Sequence, residues 1–323
     1  MDYKLLVIGK LPPPIGGVTI HVKRFLDLLS MNGLRYTFFD LRDFKFLDLV
    51  KRIIKAKLVH LHVSNVEFQF FLVVLSKILG KKSVVTIHGD LFRFKGLKKK
   101  LTSLTIRFCD VPILLNEKSY LYAKEINPKS FLMTAFLPPL IEEIPLDSKV
   151  CEQIDAFKTL HDKVFATNAS AVNYDVNEQE IYGVLELIDF FKRNENRSIG
   201  LIISDPSGEY EKFLKAKNVA LSTNIVMLSF PHSYFEIIKR VDATIRNTST
   251  DGDSLSIRES LFLKKSTFAT DVVQRPAGTV LYRRGDYSVF SIELCEPEKT
   301  DIISIDSLFK YFSGLYSELS GKF

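Results

Sequence analysis

Short apolar runs alternate with amphipathic stretches along most of the chain. The runs are continuous rather than alternating, as expected of strands that helices cover on both faces of a parallel sheet. The predicted strands of the first half are Tyr3–Ile8, Tyr36–Phe39, Leu58–Val63, Ser83–His88 and Val111–Leu115. After a proline-containing segment the pattern restarts, with predicted strands at Val164–Thr167, Ile199–Ile203, Asn224–Leu228, Ala243–Arg246 and Ser266–Thr270. The predicted helices include His21–Leu29, Glu178–Lys192, Ser254–Phe262 and one that begins at Ser307.

This alternation predicts an α/β protein of two doubly wound, Rossmann-like domains. The division falls near the segment Phe136–Pro139, so we expect a first domain over residues 1–145 and a second over 146–323. The last helix is a candidate to return to the first domain. Ligands are expected in a cleft that faces the carboxyl ends of the strands.

The two predicted domains differ in net charge. Residues 1–145 hold 23 Lys and Arg against 12 Asp and Glu, whereas the remainder holds 21 against 26. The three cysteines lack CxxC spacing, which favours a reducing compartment over a disulfide framework or a zinc site. No secretory signal is visible, and the longest apolar run, Phe68–Leu75, is far shorter than the roughly 20 residues of a spanning helix. We therefore expect a cytoplasmic protein whose basic half faces an anionic surface or substrate.

Two segments of the first half are candidates for ligand contact. Gly16 and Gly17 lie between a predicted strand and a predicted helix, where glycine permits positive φ and backbone N–H groups can approach an anion. A tight turn explains the pair equally well. His88 follows a buried strand and could hydrogen-bond a sugar hydroxyl or only support a loop. We interpret His60 and His62, which alternate on one strand, as supporting the fold rather than binding a metal.

The strongest segment runs from Arg246 to Asp271, where an acid-Gly-acid-Ser turn precedes an amphipathic helix. Asp251 precedes that helix and Glu259 lies about two turns within it. Backbone N–H groups near Ser254–Ser256 suit a diphosphate, and a carboxylate can bind ribose hydroxyls. The alternative is ordinary capping, since Ser256 and Glu259 have the spacing of a capping box and Asp253 or Ser254 can cap a helix.

On these motifs the chain resembles the retaining GT-B glycosyltransferases of family 4. The glycine loop of that family matches Gly16–Gly17, its histidine matches His88, and its E-x7-E motif matches Asp251-x7-Glu259. A T-D-V segment matches Thr270–Val272, and the surrounding sequence is similar to that of enzymes in surface-polysaccharide pathways. The resemblance covers nearly the whole chain.

The resemblance implies a hexosyl- or N-acetylhexosaminyl-transferase that uses a nucleotide-sugar donor, UDP-linked by default, and a glycan acceptor. It makes Asp251 and His88 catalytic candidates. It assigns these residues to the donor: Gly16, Gly17, Arg246, Gly252, Asp253, Ser254, Leu255, Ser256, Glu259 and Arg275. It implies no metal and no other cofactor, because amides, a helix dipole and basic side chains hold the phosphates in this family.

Two departures from the family pattern matter. The first acid is Asp251 rather than Glu, which shortens the carboxylate by one methylene. The Arg and Lys that the family places on the diphosphate are missing from Phe165–Gly183. Arg246 and Arg275 are the first candidates to replace them, ahead of Arg258. The missing pair keeps open an inactive homologue that binds sugar or nucleotide, or acts as a scaffold.

Two other classes of protein fit less well. An NAD-dependent oxidoreductase or epimerase lacks its GxGxxG fingerprint here. A nucleic-acid binder is suggested by a pI near 9.0, but the acidic second half and the absence of its motifs oppose it.

A basic stretch of the first half predicts a membrane contact. Arg93, Lys95, Lys98, Lys99 and Lys100 alternate with leucine and phenylalanine. Such a segment can bind an anionic leaflet reversibly, which predicts peripheral association with the inner face of the cell membrane and a polyprenyl-linked acceptor. The alternative is a solvated helix whose apolar residues pack on the sheet.

Overall fold

The computed structural model describes residues 2–140, 145–169, 171–175, 177–195, 198–297 and 304–321. Their contacts divide into two compact units. Unit 1 comprises Met1–Pro12, Gly16–Leu140 and Ile303–Phe323, and unit 2 comprises Pro13–Ile15 and Ile141–Ile302. No helix in the described ranges combines the length and the apolar character that a membrane span requires.

Unit 1 is built on a six-stranded parallel sheet in the order β2-β1-β3-β4-β5-β6. Its strands are β1 (Asp2–Gly9), β2 (Arg35–Asp40), β3 (Leu58–Leu61), β4 (Lys82–Ile87), β5 (Val111–Leu114) and β6 (Phe131–Leu132). Its helices are α1 (Gly17–Met31), α2 (Phe46–Lys55), α3 (Val66–Ile78), α4 (Gly96–Phe108), α5 (Glu117–Ile126) and, from the end of the chain, α11 (Ile305–Ser320).

Both faces of this sheet are buried. In β1, Leu5 and Val7 belong to one hydrophobic cluster, whereas Leu6 and Ile8 belong to another on the opposite face. This is why the strand has a continuous apolar run in place of an alternating one. Phe312 and Tyr316 of α11 belong to the first cluster.

Unit 2 repeats the architecture with the order β12-β11-β10-β7-β8-β9, again parallel throughout. Its strands are β7 (Lys163–Asn168), β8 (Ile199–Ser204), β9 (Ile225–Leu228), β10 (Ala243–Arg246), β11 (Ser266–Thr270) and β12 (Thr279–Tyr282). Its helices are α6 (Ser148–Thr159), α7 (Val184–Arg193), α8 (Glu209–Ala216), α9 (Tyr234–Arg240) and α10 (Leu255–Phe262).

The order of strands reverses once in each sheet. In unit 1 the reversal lies between β1 and β3, and in unit 2 between β7 and β10. Loops diverge from such a switch point at the carboxyl edge of the sheet, so ligands of open α/β sheets bind there. Both groups of polar residues described below lie at these edges.

The prediction of two Rossmann-like domains is confirmed by the two parallel sheets. The two short edge strands, β6 and β12, were not predicted. The helix predicted over Glu178–Lys192 begins later, at Val184. Glu178 and Gly183 adopt positive φ angles of 60° and 59°, which end a helical path. The Glu180 carboxylate accepts a hydrogen bond from Val184 N at 3.0 Å, so it caps the helix from outside.

Candidate functional site

An arginine–carboxylate cluster occupies the carboxyl edge of the sheet in unit 2. Arg246 is the last residue of β10, and Asp251 lies in the loop between β10 and α10. Arg275 lies in the loop after β11. The three side chains are 5 and 24 residues apart in sequence, and the parallel strands bring them together.

Asp251 lies between the two guanidinium groups. Arg246 donates from Nε to Asp251 Oδ2 at 3.0 Å and from Nη2 to Oδ1 at 3.1 Å, which is a bidentate pair. Arg275 donates from Nη1 to Asp251 Oδ2 at 2.8 Å. The Gly252 amide donates to Asp251 Oδ1 at 3.0 Å, so this amide also serves the carboxylate.

The electrostatic balance of the cluster is positive. Burial opposes ionisation of Asp251, but Arg246 and Arg275 outweigh it and hold the pKa of the carboxyl below its usual value. Burial likewise opposes the charge of Arg246, and Asp251 reverses this effect and raises the pKa of the guanidinium. Two cations and one anion give the cluster of Arg246, Asp251 and Arg275 a net charge of +1.

The two arginines differ in exposure and in what else they bind. The Arg275 side chain is 2% exposed and also donates to Thr270 O, Thr270 Oγ1 and Thr248 Oγ1. The Arg246 side chain is 13% exposed, lies over the ring of Tyr182 at 5.0 Å and donates to Asn168 Oδ1 at 3.4 Å. Arg246 therefore retains the surface through which a ligand can be contacted, whereas Arg275 positions Asp251.

The start of α10 does not form the capping box that its sequence allows. The helix begins at Leu255 with Ser254 as N-cap, so Ser256 lies inside the first turn. The Ser254 side chain makes no capping hydrogen bond, and its Oγ lies 3.0 Å from Ser256 Oγ. Asp253 accepts a hydrogen bond from Arg258 Nε at 2.5 Å. The side chain of the N-cap residue thus makes no hydrogen bond to the N–H groups of the first turn, which suits an anion.

Glu259 is buried in α10, in the electrostatic neighbourhood of the cluster. Burial raises the pKa of the Tyr234 hydroxyl, Glu259 raises it further, and Arg246 lowers it. Tyr234 of α9 is therefore close enough to Glu259 and Arg246 for their charges to change the pKa of its hydroxyl. No sequence pattern indicated Tyr234, Tyr182 or Thr248, whereas Asn168 is recognisable as the polar end of a buried strand.

Gly16 and Gly17 begin α1 of unit 1. Gly16 has an extended φ of −166°, and neither glycine is among those with positive φ, so our conformational reason for glycine at this turn was wrong. A Cβ atom on either residue would meet nothing within 4 Å. The Gly16 amide donates to Thr19 Oγ1 at 3.1 Å. What the pair provides is open space beside the start of a helix.

His88 belongs to a group of histidines at the carboxyl edge of the sheet in unit 1. His62 follows β3, His88 follows β4, and His21 reaches them from α1, with ring centroids 5.0–5.6 Å apart. Burial lowers the pKa of His21 to about 4 and lowers the pKa of His62 and of His88, so the three imidazoles are neutral near pH 7.

His60 fulfils the structural role that we expected of it. Its Nδ1 lies 2.6 Å from Tyr316 Oη of α11, and its Nε2 lies 2.8 Å from Thr86 Oγ1 of β4. Both ring nitrogens are therefore satisfied inside the unit. His62, which we had interpreted in the same way, instead faces His88, with His62 Nδ1 3.4 Å from His88 Nε2.

The basic stretch of unit 1 divides into two parts. Lys95, Lys98, Lys99 and Lys100 are exposed at the start of α4, beside Leu97, which is 68% exposed. Arg93 instead donates from Nη2 to His88 O at 3.3 Å. Its guanidinium also lies 3.0 Å from the position that a Cβ atom of Gly89, with φ of 99°, would take. The alternative in which the apolar residues of this segment all pack on the sheet fails for Leu97.

No family model and no curated protein matches this chain. Solved structures do. HepE of Anabaena, solved with UDP-glucose, has a TM-score of 0.63 and 13% identity over 99% of this chain and 93% of its own. A glycosyltransferase of Rickettsia africae has a TM-score of 0.60 and 11% identity over 98% of both chains.

The catalytic domain of starch synthase IV of Arabidopsis thaliana, solved with ADP and acarbose, has a TM-score of 0.58 and 10% identity over 98% of this chain and 99% of its own. Identities this low concern the fold alone. The chain therefore has the fold of the GT-B glycosyltransferases, with two Rossmann-like units.

Proposed function

We propose that the protein is a glycosyltransferase that takes a sugar from a nucleotide-sugar donor. The observation that carries the proposal is the cationic cluster of Arg246, Asp251 and Arg275 at the switch point of unit 2. Open α/β sheets bind ligands at this edge, and a diphosphate needs positive charge there. The UDP and UDP-glucose bound by HepE, a protein of the same fold, support the same class of donor.

In this proposal the donor diphosphate lies between Arg246 and the first turn of α10. Arg246 takes the place of the basic pair that the sequence lacks in Phe165–Gly183, and the uncapped N–H groups at Leu255 and Ser256 supply further donors. Glu259, buried farther along α10, is positioned to accept hydrogen bonds from the nucleoside or the sugar. Substitution Glu259→Gln should then weaken donor binding.

The chemistry that this site supports is electrostatic. Arg246 and the dipole of α10 stabilise the charge that develops on the departing nucleoside diphosphate, while the acceptor hydroxyl is held beside the anomeric carbon. The resemblance implies retention of anomeric configuration, with the departing phosphate taking the proton. His88 is the candidate in unit 1 for contact with the transferred sugar.

The donor reaction is proposed to need no metal at Asp251–Gly252–Asp253. Mg²⁺ and Mn²⁺ prefer free carboxylate oxygens, and here Asp251 is bound by two arginines and Asp253 by Arg258. Adding Mg²⁺ or Mn²⁺ to chelator-treated protein should leave the transfer rate unchanged. A rate restored only by one of these ions would place a metal on these carboxylates.

The proposed acceptor is a polyprenyl-linked glycan of a surface-polysaccharide pathway, met at the inner face of the cell membrane. The exposed lysines Lys95, Lys98, Lys99 and Lys100, with Leu97 among them, support this assignment. Basic side chains next to an exposed apolar residue suit an anionic leaflet.

A second candidate function is nucleotide or sugar binding without transfer. Both oxygens of Asp251 are bound by guanidinium groups, which favours a structural role for the carboxylate that the resemblance makes catalytic. Such a homologue would bind UDP or GDP and turn over no donor.

A thermal-shift panel of UDP, GDP and NAD⁺, followed by an assay of sugar transfer from nucleotide-sugars that contain the stabilising nucleotide, separates these functions. Stabilisation by UDP or GDP with transfer to a lipid-linked glycan extract supports the proposal. Stabilisation without transfer supports the binding homologue, and stabilisation by NAD⁺ alone contradicts both.

A further inference from the structure

Three histidines converge in unit 1 in the pattern of a metal site. His21, His62 and His88 each place one ring nitrogen within 4.8 Å of those of the other two. They come from α1 and from the carboxyl ends of the neighbouring strands β3 and β4. They are 41 and 26 residues apart, so only the fold makes them a group.

The hydrogen bond of His21 determines which of its nitrogens is available. His21 Nδ1 lies 2.7 Å from the carbonyl oxygen of Ala135, and a carbonyl only accepts, so Nδ1 carries the proton. Nε2 therefore carries the lone pair. This nitrogen is buried and has no hydrogen-bond partner in the described part of the chain. Histidines that bind metals are commonly fixed by such a bond from the other nitrogen to a carbonyl.

His62 also has one ring nitrogen without a hydrogen-bond partner in the described part of the chain. Its Nε2 is buried without a partner among the described residues, whereas both nitrogens of neighbouring His60 are bonded. Buried polar atoms without partners are rare in folded proteins, and an ion is one of the standard explanations. The lone pair on the unpartnered Nε2 of His21 indicates a ligand of electron-accepting character, whereas His62 presents its other nitrogen, Nδ1, towards His88.

We propose that His21, His62 and His88 bind one divalent transition-metal ion of the zinc class. Zinc–nitrogen bonds of about 2.0–2.1 Å in a tetrahedron separate two ligand atoms by about 3.4 Å. The distance from His62 Nδ1 to His88 Nε2 is 3.4 Å. Small rotations of the imidazoles bring in the third nitrogen, and water completes the coordination.

An entry path for the ion exists in the same unit. His62 lines an open pocket of about 600 Å³, together with Lys10, Thr19, Asn65 and Phe68. The proposed ion is distinct from the donor cluster in unit 2, but it uses His88, which is also the proposed contact of the transferred sugar. Zinc binding is therefore measured without donor or acceptor, so that its outcome is independent of sugar transfer. Hard cations such as Mg²⁺ are poorly suited to three imidazoles.

The test is zinc binding by full-length protein that carries no histidine tag. Chelator-treated protein is loaded with zinc and separated from free ion, the retained metal is measured by mass spectrometry, and X-ray absorption counts the imidazole ligands. We expect one zinc per chain with three imidazoles, and no comparable retention of Mg²⁺. His21→Gln and His62→Gln should each bind zinc at least about tenfold more weakly.

His161→Gln is the matched control, because His161 lies in unit 2 and its Nδ1 bonds Phe157 O. It should bind zinc as the unmodified protein does. Circular dichroism checks that each metal-free variant folds, and where one does not, the imidazole count on the unmodified protein decides. The proposal is overturned if no zinc is retained, if the count is below three, or if His161→Gln loses as much zinc as the cluster variants.

Discussion

Asp251 acts, at the scale of the single residue, as the counter-ion of two arginines. Removing its charge leaves Arg246 and Arg275 facing each other in a nearly buried site. Loss of one partner of a buried ion pair costs about 3–5 kcal/mol. Substitution Asp251→Asn should therefore lower the free energy of unfolding by about 3 kcal/mol, measured by urea denaturation.

The control for this substitution is Asp155→Asn. Asp155 also pairs with an arginine of unit 2, Arg240, but at the surface, where such pairs contribute about 1 kcal/mol or less. Equal destabilisation by the two substitutions would contradict the role of Asp251 as a buried counter-ion. Donor binding should survive Asp251→Asn, because the cations Arg246 and Arg275 remain, whereas sugar transfer should become slower.

The spacing of Asp251 and Glu259 could be read from the sequence, but the residues that their side chains contact could not. Arg275 follows Asp251 by 24 residues, and the two meet because β10 and β11 are neighbours in the sheet. The same applies to His21, His62 and His88, whose spacing matches no metal motif. Such groupings depend on the order of strands, which a pattern of apolar residues leaves open.

At the scale of the element, Gly183 precedes α7 and allows the backbone to turn in close contact with Asn247, next to the cluster of Arg246, Asp251 and Arg275. Gly183 has a φ of 59°, and a Cβ there would overlap the side chain and the carbonyl of Asn247, the residue after Arg246. Gly183→Ala should destabilise the protein by more than the roughly 1–2 kcal/mol of left-handed strain alone. It should also weaken nucleotide binding.

Gly33→Ala separates strain from overlap. Gly33 has a similar φ of 70°, but a Cβ there meets nothing within 4 Å. Thermal unfolding of the two variants should show the greater loss for Gly183→Ala. Equal losses would mean that the approach to Asn247 contributes nothing.

The start of α4 is the element on which the proposed membrane binding depends. Each basic residue near an anionic leaflet contributes on the order of 1 kcal/mol, so changing Lys98, Lys99 and Lys100 to Glu should weaken liposome binding by about 100-fold or more. Co-sedimentation with anionic vesicles at low salt measures this effect. Binding should require anionic lipid and decrease with added salt.

The control places the same charge change on α8 and on the residue that follows it. Lys212, Lys215 and Lys217 are exposed in unit 2. Their replacement by Glu should leave vesicle binding unchanged. If the unmodified protein stays in the supernatant, a soluble acceptor becomes the better proposal.

At the scale of the whole molecule, the two sheets were predictable because both faces of their central strands are buried. Full burial produces the continuous apolar runs of the central strands. Ten of the twelve strands in the described ranges were predicted, among them the partly buried edge strand β2. The edge strands β6 and β12 were not predicted, because β6 has only two residues and most of β12 is only partly buried. The start of α7 was not predicted, because the capping carboxylate of Glu180 lies outside the helix. The periodicity of apolar residues carries no information there.

Both units place their polar clusters at the carboxyl edge of a switch point, with opposite chemistry. Unit 1 presents neutral imidazoles, and unit 2 presents a cluster of net positive charge despite its acidic composition. The proposed assignment of the diphosphate to unit 2 therefore rests on the local charge at this edge and not on the charge of the half-chain.

Calorimetric titration with UDP tests the central claim most directly. We expect one site per chain in the unmodified protein and binding at least about tenfold weaker in Arg246→Gln. Binding should be unchanged in Arg240→Gln, where a surface arginine of the same unit is lost. GDP replaces UDP if it gives the larger thermal shift. Equal affinity in all three proteins, or no binding of either nucleotide, would contradict a donor site at Arg246, Asp251 and Arg275.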